Sequence, residues 1–277
     1  IGSFFVKSKQ QDHLKQSHSQ EFQNEDTEPD IPKVELTEAN KVAKRFRTVL
    51  ELMNEGRSYT KFKIPQLAQL MKLDKISELE DVFTGQVEPT FSFIEDFSKT
   101  FGVNAVWLTE GKGAPFSNER DSSSDPQAYL SLIEDLNPEG IYFVREDSDT
   151  APAFIVLKLT KWKYCILGRT WHISDVVGAG GKKQLFSFYT LIKELRDKRN
   201  LHTKCWGITL NEDEFNALLR GDAFPGKYFD NGFFEDPWWD DLTDIDHKYP
   251  IAENYEYLHG KSFIKAQHII NGISQNT

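Results

Sequence analysis

The sequence predicts two structural parts in tandem: an all-α segment of five short helices over residues 37–116, and an α/β (α+β) segment over residues 128–277. Three observations carry this. In the first part, apolar residues recur at three- and four-residue spacing, and the runs are bracketed by capping residues, prolines and glycines. After residue 128, short runs of β-branched and aromatic residues alternate with helical patterns, as in a sheet packed against helices. Between the two lies SNERDSSSDPQ, residues 117–127, whose polar and chain-breaking composition reads as a linker.

Residues 1–36 read as a polar arm, with only a weak helical pattern around Leu14 and Phe22. Thr37 is placed to N-cap the first helix, whose apolar positions Val42, Phe46, Val49, Leu50 and Met53 share one face, and Gly56 stops it. Pro65 opens a short second helix with Leu67, Leu70 and Met71 inward. Ser77-Glu78-Leu79-Glu80 has capping-box spacing, with Glu80 as the returning carboxylate, and starts a third helix that ends at Gly85. Pro89-Thr90 open a fourth, with Phe93, Ile94, Phe97 and Phe101 on its stripe. Asn104 caps a fifth that buries Trp107 and Leu108.

In the second part, Tyr129 to Leu136 reads as a helix and Asn137-Pro138-Glu139-Gly140 as a turn. Strands are expected at Ile141–Val144, Ala153–Leu159, Tyr164–Leu167 and Trp206–Leu210. Further helices are expected over Leu185–Arg196, from Asn211 or Glu212 to Gly221, and from about Ser262 to Ile270.

The net charge of −10 is unevenly spread: residues 37–116 carry eleven basic and eleven acidic side chains and are neutral, while the flanks are acidic. No apolar run approaches the ~20 residues of a membrane span. Phe4-Phe5-Val6 meets Lys7 and Ser8 at once, unlike the apolar core of a secretory signal. Cys165 and Cys205 belong to no CxxC or CxxH spacing and read as two reduced thiols. A cytoplasmic protein is expected, with no membrane partner.

Several positions of residues 37–116 act together. Ala68 is a small residue at the close approach of the second and third helices. Leu79 and Val82 are the inward positions of the third, Gly85 ends it and Pro89-Thr90 start the fourth. Phe101-Gly102-Val103-Asn104, then Trp107-Leu108-Thr109-Glu110-Gly111, close the segment. In this order and spacing it resembles the helix-turn-helix domain of lambda-type and other phage-type repressors, the XRE group. The resemblance implies a lambda-repressor-like fold in which the third helix enters the major groove and the second crosses the phosphate backbone. It implies base-edge contacts at Lys75, Ser77, Glu78 and Asp81, and phosphate contacts at Arg57, Lys61, Lys63 and Gln86. It also implies double-stranded DNA as partner, a homodimer spanning two half-sites, and a sequence-specific transcriptional regulator. Three features depart from the pattern. The turn between Met71 and Leu79 is one residue longer than usual, Lys72 replaces the usual turn glycine, and the third helix exposes Glu78, Glu80 and Asp81. One carboxylate can accept from cytosine, but three beside phosphates repel. The alternative is therefore a helix-turn-helix used as a protein–protein module of an antitoxin, immunity or phage-control system.

The second part carries no recognised catalytic motif, and no enzyme activity, metal or cofactor is expected. There is no serine–lysine autocleavage segment and no HExxH. Gly178-Ala179-Gly180-Gly181-Lys182-Lys183 reads as a tight turn into a helix. Trp171-His172-Ile173-Ser174-Asp175 reads as a strand with a half-buried His172, and the seven histidines show no metal spacing. Asp230 to Asp246 holds seven acids among Phe233, Phe234, Trp238 and Trp239. It is expected to be a solvated loop pinned by its aromatics. With the acidic third helix, it is the second surface where a protein partner could dock.

Overall fold

The computed structural model describes residues 37–116, 118, 119, 125–230 and 235–276, with backbone alone at 118, 119, 199 and 200. The polar arm, most of the expected linker and residues 231–234 of the acidic loop lie outside the described residues.

The N-terminal region is helical: α1 (Glu38–Met53), α2 (Ile64–Leu70), α3 (Ile76–Thr84), α4 (Phe91–Phe101) and α5 (Ala105–Glu110). Local capping explains most of the boundaries. Thr37 Oγ1 accepts from the Asn40 N–H (3.3 Å), Thr90 Oγ1 from the Phe93 N–H (3.2 Å), and Asn104 Oδ1 from the Val106 and Trp107 N–H groups (3.0 and 3.3 Å). The apolar stripes meet around Phe46, whose ring lies 4.6 Å from Phe97 and 5.7 Å from Phe83, centroid to centroid. Trp107, expected inside, is only half-buried; Leu108 fills the interior position of α5.

The third helix starts earlier than its capping-box spacing suggests. Its N-cap is Lys75, and Glu78 Oε1 accepts from the Lys75 N–H at 3.0 Å, so Glu78 rather than Glu80 is the returning carboxylate and Ser77 lies inside the helix. The preceding turn sets this register. Lys72 takes a left-handed conformation (φ +59°) and the Leu73 N–H closes back onto the Ala68 carbonyl (3.0 Å). The chain is thereby released from α2 in time to re-enter a helix at Ile76.

The C-terminal region is a mixed α/β layer structure. A five-stranded sheet has the order β1-β4-β3-β2-β5. It comprises β1 (Asn118–Glu119), β2 (Gly140–Glu146), β3 (Pro152–Thr160), β4 (Lys163–His172) and β5 (Cys205–Leu210). β2–β3–β4 is antiparallel, while β5 and β1 add to the two edges in parallel. The main helices are α6 (Pro126–Leu136), α7 (Ala179–Asp197), α9 (Glu212–Arg220) and α13 (Lys261–Ser274). Short helices α8 (Arg199–His202), α10 (Gly226–Phe229), α11 (Trp238–Asp241) and α12 (Tyr255–His259) occupy the connections.

Strand alternation assigns the two sheet faces to two cores. Ile141, Phe143, Ile155, Leu157 and Leu167 face α6, α7, α11 and α13. Tyr142, Val144, Phe154, Val156 and Ile166 face the other way and join Phe215 and Phe224 in one apolar cluster with Phe46, Leu67 and Phe97 of the helical region. The contact runs through Phe224, whose ring lies 5.3 Å from Phe116, 5.4 Å from Tyr164 and 6.4 Å from Phe62. Residues 36–277 accordingly form one compact unit instead of two parts on a tether. The expected linker is partly structural: Asn118 pairs with Ile166 and Glu119 with Leu167, and the Phe116 N–H bonds the Gly221 carbonyl (3.0 Å). Gly221 has φ +82°, and a Cβ there would stand 2.5 Å from the Phe116 carbonyl oxygen, so both the turn and the close approach require glycine. Among the described residues no helix is long and apolar enough to cross a membrane.

Candidate nucleic-acid interface

The inner side of α3 buries Leu79, Val82 and Phe83, which leaves Lys75, Ser77, Glu78 and Glu80 exposed and Asp81 half-buried on the other side. Gln86 is exposed just past the helix, its backbone N–H bonded to the Asp81 carbonyl (2.8 Å). Lys61 and Lys63 are exposed immediately before α2, where Lys63 is the N-cap. These seven of the eight expected contact residues lie on or beside α2 and α3.

The eighth, Arg57, is almost wholly buried. It is 6% exposed, and its Nη2 donates to Asp230 Oδ2. Its Nε donates to the Met53 carbonyl (3.0 Å), and the guanidinium lies 4.7 Å from the Phe62 ring centroid. Arg57 is therefore a buried link between the helical and α/β regions, and the expected direct phosphate contact would require it to leave Asp230. Two more cations of the helical region are also occupied. Arg45 donates to the Leu108 and Thr109 carbonyls (3.0 and 2.7 Å) at the end of α5, and Arg47 donates to the Phe83 carbonyl at the end of α3. Lys44, Lys61, Lys63, Lys72 and Lys75 are exposed and form no ion pair among the described residues. Around α2–α3, lysines 61, 63, 72 and 75 are balanced by acids 74, 78, 80 and 81, so this surface is neutral in sum.

Asp230, expected as the first acid of a solvated loop, is instead the buried anion that holds the Arg57 link. Its Oδ1 accepts from Lys158 Nζ (2.6 Å) and the Tyr164 hydroxyl (2.8 Å), while Oδ2 takes Arg57. Burial, then the Asp230 charge, pushes Tyr164 ionisation far above the usual tyrosine range. Burial raises Tyr142 to about 12, with Asp230 and Glu139 adding to the shift.

Most of the acidic aromatic segment also turns inward. Asp236 accepts from Thr209 Oγ1 and lies 3.5 Å from Arg145 Nη2. Asp241 meets His259 Nε2 (2.7 Å), and Asp244 accepts from the Lys248 and Tyr249 N–H groups (2.9 and 3.2 Å) and the Tyr255 hydroxyl (3.2 Å). Asp240 and Asp246 pair with Arg196 and Lys248. Trp238 and Trp239 are buried. The expectation of a solvated loop is therefore corrected for Asp230, Asp236, Asp241 and Asp244, while Glu235 and Asp246 remain exposed. The carboxylates of Asp230, Asp236, Asp241 and Asp244 meet backbone or side-chain donors of the fold, and Asp240 and Asp246 make ion pairs.

Of the segment expected as a tight turn only Gly178 precedes α7, as its N-cap, and Ala179 to Lys183 form the first turns of the helix. His172 is exposed rather than half-buried, Ser174 Oγ has no hydrogen-bond partner, and Asp175 pairs with Lys265 (3.0 Å), so the three form no relay. Cys205 is buried with its thiol donating to the Leu201 carbonyl (3.3 Å), and burial raises it to about 12. No group of three or more His, Cys, Asp or Glu side chains among the described residues is arranged to hold a metal ion. No protein-family model, no curated protein and no solved structure matches this chain.

Proposed function

We propose that the chain is a sequence-specific DNA-binding transcriptional regulator of the phage-repressor-like helix-turn-helix kind, acting as a dimer and without enzymatic activity. The observation that carries this reading is the open face of α3. Lys75 and Ser77 stand exposed at its leading end, and Lys61 and Lys63 are exposed beside it at the start of α2. In this reading Lys75, Ser77 and Asp81 meet base edges, and Lys61, Lys63 and Gln86 meet phosphates. Glu78 faces the same side but is held by the Lys75 N–H, which restricts it to its cap. A neutral surface releases few counterions, so one copy binds weakly and two half-sites are needed for useful affinity.

The second reading, a protein–protein module, is favoured by the acids on the same face. The two separate in one experiment. Glu80 is exposed and free of capping duty, so Glu80→Gln with Asp81→Asn removes two negative charges without undoing the cap. Gel shifts with random duplex at low salt should show tighter binding by the double variant, because the removed charges lie within a Debye length, ~10 Å at 0.1 M salt, of the backbone. Absence of duplex binding by both proteins contradicts the DNA reading.

A further inference from the structure

A cleft of about 490 Å³ opens between the start of α2 and the β3–β4 hairpin, lined by Arg57, Lys61, Gln66, Lys158, Lys161 and Asp230 among others. Its charge does not balance. Arg57 and Lys158 have side chains only 5% and 18% exposed, and both rest on the single carboxylate of Asp230. Buried or half-buried charges need a counter-charge, and two cations on one carboxylate leave a net positive charge at the floor. Lys61 and Lys161 add two more at the rim, and neither forms an ion pair among the described residues. Four cations thus surround one anion in a space within the usual size range of ligand clefts.

We propose that this cleft is a phosphate site and that it takes a DNA backbone phosphate flanking the α3 contact. This assignment rests on the DNA reading above. Lys61 connects the two places: it lines this cleft and also the groove that reaches Phe83 and Thr84 at the end of α3. A strand held by Lys61 and Lys63 is therefore led onto Lys161 at the hairpin tip. The α/β region then belongs to the DNA-binding surface, and residues outside the helical segment share in phosphate neutralisation. Gln66 supplies a neutral donor on the α2 side, and Arg57 and Lys158 act on the phosphate as floor charge without leaving Asp230.

The test uses the full chain. The salt dependence of duplex binding is measured for wild type, Lys61→Ala and Lys161→Ala, beside the melting temperature with and without inorganic pyrophosphate. Lys161→Ala is expected to reduce the slope of log K against log salt by about one unit, as Lys61→Ala does. A reduced slope for Lys61→Ala with a wild-type slope for Lys161→Ala overturns the cleft assignment and leaves the DNA reading standing. If wild type binds no duplex, the DNA reading fails and pyrophosphate decides the cleft alone. A melting-temperature rise of roughly 2–4 °C that disappears in Lys161→Ala then supports a free phosphate compound as the occupant. No rise overturns the phosphate site.

Discussion

Removing either end of the Arg57–Asp230 pair should destabilise the protein, and the two ends should not be equal. The side chains are 5% and 10% exposed, so neither charge can recover its hydration when its partner is lost. Breaking a buried pair from one side costs about 3–5 kcal/mol. Arg57→Ala leaves Asp230 with Lys158 and the Tyr164 hydroxyl, which places it near the lower bound, about 3 kcal/mol. Asp230→Ala leaves Arg57 and Lys158 both without a carboxylate and Tyr164 without an acceptor, which places it near the upper bound, about 5 kcal/mol. The double variant should fall well short of the sum, because the second substitution removes a charge already stranded by the first. Urea unfolding at pH 7 of the four proteins gives the cycle directly. The pair joins regions that share one apolar cluster, so wild type should unfold in a single transition. Single variants within 1 kcal/mol of wild type, or strict additivity, would refute the reasoning that this pair clasps the two regions.

Trp107→Ala should cost only about 2 kcal/mol, below the 3–5 of a fully buried tryptophan, because the indole is half-exposed; thermal unfolding measures it, and a loss of 4 or more would mean the ring is a core element. Cys205 is raised from its ordinary 9.0 to about 12 by burial, and Tyr142 from 10.0 to about 12. For both groups the neutral form is the one the fold favours. Their stabilisation is complete below the unfolded values and is lost as pH rises through 9–12, so unfolding free energy should decline across that window. At pH 8 a thiol reagent should titrate one cysteine in the folded chain and two in urea; two fast-reacting thiols in the native protein would contradict the burial of Cys205.

Helix starts were legible where one side chain closes a bond three residues away. Thr37, Thr90, Asn104 and Asn211 cap through such contacts, which sequence spacing expresses directly. The third helix shows the limit of that logic, since Ser77–Glu80 and Lys75–Glu78 have the same spacing and only the left-handed turn at Lys72 selects between them. The strands around residues 141–144, 153–159 and 206–210 were visible because β-branched and aromatic residues fill both faces. Strand β1 was not, because Asn118-Glu119 has no strand propensity and pairs only by being held against β4. Among the site residues, exposed lysines fell where a surface charge is expected. Arg57 did not, because its partner lies 173 residues away and no local pattern distinguishes a buried arginine from a solvated one. The acids from Asp230 onward misled for the same reason: their donors, Thr209, Tyr255, His259 and Arg57, come from distant elements.

The most direct test of the proposed DNA contact is the salt dependence of duplex binding by wild type, Lys61→Ala, Lys63→Ala and Arg57→Ala, using a duplex selected by the wild-type chain from random sequence at about 50 mM salt. The slope of log K against log salt is expected to fall by about one unit for each lysine variant. A smaller change than for either lysine variant is expected of Arg57→Ala in any preparation that remains folded, since its guanidinium is held by Asp230 at the floor of the cleft and does not touch the phosphate. No selectable duplex, or slopes unaltered by both lysine substitutions, would contradict the proposed contact.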